Sequence, residues 1–113
     1  MKKINFISAI IYSLLFSQCT VFKNEIKNCN ENLKFKDSFM SHISLIENYT
    51  MGKGERKQFD EGLYFLSKYV HVSYDDMLNF SSSYTSIKSF NKDKIRWLKW
   101  YEENKCSNIQ FKQ

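Results

Sequence analysis

Lys2 and Lys3 open a chain whose next thirteen residues, Ile4 to Phe16, are apolar apart from Asn5, Ser8 and Ser13. Such a run is too short to cross the hydrocarbon core of a bilayer as a helix, which takes about 20 residues. A charged start, a short apolar stretch and a small-residue exit predict an export signal over residues 1–18. The competing reading, a buried first helix of the domain, asks for a polar stripe. Residues such as Ile7, Ile11, Leu14 and Leu15 instead ring the helix with apolar surface. With the leader set aside, the remainder of the 113 residues makes one small domain. Multidomain enzymes, solenoids and folds of about 250 residues are excluded on length alone.

The run ends at Leu15-Phe16-Ser17-Gln18-Cys19. This resembles the lipobox of bacterial lipoproteins, in which a Cys directly after the apolar region becomes the first mature residue and carries lipid. The resemblance implies lipid attachment at Cys19, a tether over 19–29 and a domain over 30–113. It further implies an exported protein anchored to a bacterial membrane, in the periplasm or at the cell surface. Gln18 departs from the family's Gly, Ala or Ser. The alternative is ordinary signal-peptidase cleavage after Ser17-Gln18-Cys19, giving a secreted soluble protein.

Export places the remaining cysteines, Cys29 and Cys106, in an oxidising compartment. A bond between them closes a loop of 78 residues, counted inclusively. On the chain-entropy model that contributes roughly 4 to 5 kcal/mol, as much as a domain this small is expected to have in total. No Cys-x-x-Cys is present and His42 and His71 lie far apart, so no metal site is expected. Without Lys2 and Lys3 the chain keeps 15 basic and 12 acidic residues. It holds no run of five like charges and no basic stripe with interleaved aromatics, and nucleic-acid binding has no footprint.

Apolar residues make up 42% of the chain and aromatics 17%, enough for a packed core. Between Asn30 and Tyr49, Leu33, Phe35, Phe39, Met40, Ile43 and Ile46 recur mainly at steps of three and four. The spacing predicts an amphipathic helix capped by Asn30. Gly52 and Gly54 mark a loop. Phe59, Leu63, Leu66 and Val70 form the cleanest stripe in the chain and predict a helix over 57–71. Gly62 inside it costs about 1 kcal/mol against Ala, which fits a close approach between helices. Ser73-Tyr74-Asp75-Asp76 starts a short helix near 74–80. The hydroxyl-rich residues 81–89 read as a connecting loop. The fold class expected is all-α, a small bundle of three main helices and one short one. No alternating pattern insists on a sheet; Tyr69 to Tyr74 is compatible with a single strand that has no partner.

The last helix is expected over 91–105, with Asn91 as N-cap and Phe90 and Ile95 as the two halves of a hydrophobic staple. At about 100° per residue, Ile95, Leu98, Tyr101, Trp97 and Trp100 sweep an apolar arc of roughly 220°, more than one core face can bury. Cys106 falls near Ile95 on that wheel, toward the packed side. Trp97 and Tyr101 read as core and Trp100 as a surface anchor; all three are candidate partner-binding residues. Asp93-x-x-x-Trp97-x-x-Trp100-Tyr101-x-x-Asn104-Lys105 resembles helices that close small exported bacterial proteins of unknown function and some HEAT-type helical domains. The resemblance implies a helical domain without enzymatic activity.

Catalytic patterns are missing from the sequence. Gly52-Lys53-Gly54 is too short for a phosphate loop, and no nucleophile elbow or His-Glu-x-x-His pair occurs. His71 with Asp75 and Asp76 is the one titratable cluster, more readily a helix-end His beside a capped helix start than an acid–base pair. Asn48-Tyr49-Thr50 and Asn79-Phe80-Ser81 match a glycosylation sequon, a pattern common by chance. The expectation is a small cell-envelope lipoprotein, non-enzymatic and without cofactor. It binds another envelope protein and not nucleic acid; a purely structural envelope component is the other reading.

Overall fold

The computed structural model describes residues 29–79 and 81–113. The expected leader over 1–18, Cys19 and the tether as far as Asn28 lie outside the described residues. The described residues form an all-α fold of three helices with two short 3-10 turns and no strand. Among them no helix is long and apolar enough to cross a membrane.

Helix α1 spans Leu33–Thr50, and Asn32 rather than Asn30 caps it, its side chain accepting from the Phe35 N–H at 3.1 Å. Its inward stripe is Phe35, Phe39, Ile43 and Ile46. Gly52 and Gly54, at φ of +82° and +86°, turn the chain through two left-handed positions that a side chain would strain. Helix α2 follows over Arg56–Ser67 and buries Phe59, Gly62, Leu63 and Leu66. The start of α1 meets the end of α2 (Phe35 and Phe65 rings 6.2 Å apart) and its end meets the start of α2 (Tyr49 and Phe59, 4.8 Å). The two helices are therefore antiparallel. Gly62 is where they press closest: a Cβ there would stand 2.8 Å from Ile46 Cγ1 and 2.9 Å from the His42 carbonyl oxygen. The helix-weakening residue read from sequence is the one that permits the contact.

Helix α3 spans Ile87–Asn104. Its end meets the start of α1 (Phe39 and Tyr101, 5.4 Å), and Lys94 in its first half pairs with Glu47 near the end of α1 at 2.7 Å. So α3 is antiparallel to α1 and parallel to α2. That geometry forces the connection over 68–86 to climb the whole bundle. It does so as an irregular fourth layer, with a 3-10 turn at Tyr74–Met77 and with Val72, Met77 and Tyr84 tucked into the core. After α3 a second 3-10 turn, Lys105–Ser107, leads to Asn108 at φ +50°. The last residues then cross the same end of the bundle: Asn32 Nδ2 donates to the Ile109 carbonyl at 2.8 Å, and the Lys112 N–H donates to Tyr69 Oη at 2.7 Å.

Several expected boundaries are corrected. The second helix stops at Ser67, so Val70 belongs to the climb, and the short helix near 74–80 is only a 3-10 turn. The third helix begins a full turn before Asn91, because the Ser86 side chain accepts the Ser89 N–H at 3.1 Å and makes a cap inside the stretch expected to be loop. Phe90 is thereby an interior helical residue, fully buried. No staple forms, and Ile95 is 68% exposed. Ile95 is the residue that the overly wide apolar arc leaves outside.

Candidate functional site

Cys29 and Cys106, each at the edge of the helical set, are joined by a disulfide with their Cα atoms 4.8 Å apart. Cys106 does not lie on the packed side: it is exposed, as is Ile95, and it reaches Cys29 through the 3-10 turn that follows α3. Beside it, Tyr101 donates to Glu31, which also pairs with Lys36 at 3.7 Å. The Tyr101 hydrogen bond holds the Glu31 carboxyl below its ordinary range, while burial and then Glu31 push the Tyr101 hydroxyl up.

The three aromatic candidates do not share one exposed surface. Trp97 and Tyr101 are buried, and Trp100 is half-buried beside Phe39, 5.6 Å away, and Tyr69, 6.1 Å away. The Trp97 indole N–H donates to the His71 carbonyl oxygen at 2.8 Å, which fastens the climb to α3. The inward register of α3 runs Phe90, Asp93, Trp97 and Tyr101, and this set turns Trp100 toward α1 and the end of α2.

That register also contains the residue the sequence reading missed. Asp93 is wholly buried and accepts four hydrogen bonds. The Ser73 N–H and Tyr84 Oη reach Oδ2 at 2.9 and 2.6 Å; Ser73 Oγ and Arg96 Nη2 each reach Oδ1 at 2.6 Å. Burial pushes the carboxyl up. The Ser73 and Tyr84 hydroxyls, the Ser73 amide and the Arg96 charge outweigh it, and Asp93 is held below the ordinary carboxylate range. Burial, reinforced by Asp93, drives the Tyr84 hydroxyl far up. Among the described residues no buried side-chain nitrogen or oxygen lacks a partner. The cluster is a self-satisfied hub that binds two points of the climb to α3. The signal that finds it is helical spacing, because position 93 falls on the buried face with Phe90 and Trp97.

His71, Asp75 and Asp76 are exposed, and no hydrogen bond or ion pair joins the His71 ring to either acid. Among the described residues no three His, Cys, Asp or Glu side chains are grouped to hold a metal ion.

Among the described residues, a concave surface lies on the climb. Met77, Leu78, Asn79 and Ser82 line an open hollow of about 420 Å³. An adjoining one of about 260 Å³ reaches Arg56, Asp60, Leu63 and Tyr74. Leu78 is 84% exposed and Tyr74 52%. Arg56, fixed by Asp60 at 3.1 Å and by the Ser81 and Ser82 carbonyls, forms one wall. The result is an apolar floor with a rim of hydroxyl and amide groups, suited to receiving an apolar side chain. No family model matches this chain, and neither a curated protein nor a solved structure matches it.

Proposed function

We propose that the chain is a small helical lipoprotein of a bacterial cell envelope, exported, lipidated at Cys19, and acting by holding another envelope protein rather than by catalysis. The observation that carries the reading is the Cys29–Cys106 bond. A disulfide closing almost the entire domain is a device of oxidising compartments, which agrees with an N-terminal export signal. With those two thiols joined, Cys19 is the one cysteine left to take lipid. The Asp93 hub supports a non-enzymatic role, because its carboxylate is taken up by protein donors. The groove at Tyr74, Met77 and Leu78 offers a partner what Trp97 and Tyr101 do not, an apolar surface reachable from solvent.

The test is the mass of the mature N-terminal peptide together with crosslinking in native membranes. Acylated Cys19, with loss of membrane partitioning in Cys19→Ala, is the expected result. A soluble protein beginning at Thr20 overturns the anchor. A crosslinked partner captured by wild type and lost in a folded Leu78→Asp variant is expected. Equal capture by both removes the groove from the reading.

A further inference from the structure

The end of the bundle that holds the cystine carries a patch of aromatics and lysines at the rim of the core, apart from the groove. Tyr64, 66% exposed, lies on the last turn of α2 with the Lys68 ammonium 4.7 Å from its ring centre. The Lys112 ammonium stands 5.5 Å from the Tyr69 ring centre. Lys68 and Lys112 donate to one another's backbone carbonyls at 3.4 and 3.2 Å, so the two positive charges are held side by side. Phe111, 49% exposed, lies between them and the core, its ring 5.5 Å from Phe35. The nearby carboxylates Glu31, Glu102 and Glu103 pair with Lys36, Lys105 and Lys99. Among the described residues no acid pairs with Lys68 or Lys112. Amphipathic aromatics beside lysines are the composition that settles at the headgroup level of a bilayer.

The position of the patch selects its occupant. Asn32, three residues after Cys29, holds the returning C-terminal segment through Ile109, so the patch adjoins the place where the chain enters the domain. Only Thr20 to Asn28 separate Cys19 from Cys29, a reach of about 30 Å when extended. Resting on the lipid-anchor reading of Cys19, we infer that Tyr64, Lys68, Tyr69, Phe111 and Lys112 form a contact face for an anionic lipid surface, which orients the bundle with its cystine end on the membrane. The groove at Tyr74 and Leu78, on the climbing connection that leads toward the far end, is then presented away from the lipid.

The experiment is lysine footprinting of the full mature chain on vesicles of phosphatidylglycerol and phosphatidylcholine, read by mass spectrometry beside the acylation state of Cys19. Lys53 and Lys88, both exposed at the opposite end, serve as internal references. Protection of Lys68 and Lys112 relative to Lys53 and Lys88, absent on pure phosphatidylcholine, is expected. The variant carrying Lys68→Gln and Lys112→Gln, with its helical signal intact, should bind the anionic vesicles about fivefold more weakly per lysine replaced. Equal labelling at both ends overturns the contact face whether or not Cys19 carries lipid. Protection confined to Lys53 and Lys88 overturns it too. An unacylated Cys19 with Lys68 and Lys112 still protected refutes the anchor and supports the face, so the two failures are distinguishable.

Discussion

The cystine end of this bundle and its climbing connection are held by different physics. At the cystine end, Phe35, Phe39, Tyr69, Trp100 and Tyr101 stack around the start of α1, and a covalent bond and the returning C-terminal residues close over them. Losing any one contact leaves the others. Along the climb, a segment of irregular backbone is fastened through Asp93 and the Trp97 indole. Dispersion among aromatic rings is distributed and tolerant, whereas a buried carboxylate concentrates the fastening in one group. The cystine end spreads its non-covalent contacts over many rings; the climb hangs on a few polar fastenings, of which Asp93 carries the most.

The largest effect expected is from opening the covalent end. Cys29→Ser with Cys106→Ser, or reduction of the wild type, should cost about 4 to 5 kcal/mol, read as a large fall in melting temperature. Two alkylatable thiols in protein taken freshly from its source would refute the bond.

Asp93→Ala comes next, at about 3 kcal/mol, because Ser73 and Tyr84 lose a buried acceptor and Arg96 a partner. Hydrogen exchange should speed up over 71–86 and remain slow around Phe35 and Tyr101. Uniform acceleration over both regions would show that Asp93 fastens the whole bundle and not the climb in particular.

The same residue sets an acid limb. Its folded carboxyl lies below its ordinary value of 3.8, so its contribution is complete above that value. As pH falls below 3.8 toward the lowered folded value, the contribution is lost, since the unfolded chain takes up the proton first. An Asp93→Asn variant should lose stability less steeply than wild type over that window. Parallel acid limbs would remove Asp93 as the cause.

Gly62→Ala should be smaller, a net loss of about 1 to 2 kcal/mol. The gain in helix propensity is about 1 kcal/mol, and the clash with the His42 carbonyl, which is backbone, outweighs it. A rise in melting temperature would show that α1 and α2 can separate without penalty. Leu78→Ser marks the bottom of the scale, within about 0.5 kcal/mol of wild type, because its side chain is mostly in solvent.

Much of the fold was legible because its signals are local. The stripes Phe35–Phe39–Ile43–Ile46 and Phe59–Leu63–Leu66 appear at helical spacing in the sequence, and both became buried faces. The start of α3 was misread because a hydroxyl-rich segment and a Ser N-cap look alike until the backbone chooses. Once Ser86 takes the Ser89 amide, the register shifts, Phe90 turns inward and Ile95 turns out. The candidate site was less legible. Leu78 and Tyr74 become a groove only because the climb brings them beside Arg56 and Leu63, a juxtaposition no spacing encodes.

By itself the sequence determined three amphipathic helices, the glycine turn at 52–54 and a pair of cysteines flanking them, since each follows from periodicity, backbone freedom or position along the chain. The tertiary structure alone decided that α2 and α3 run parallel, that the connection must therefore climb the bundle, and that a buried Asp93 holds it there. The physical reason is range. A helical stripe states that a face will be buried, but against what is settled only when elements far apart in the chain meet. A carboxylate such as Asp93 survives burial only when that meeting supplies Ser73, Tyr84 and Arg96 at hydrogen-bond distance.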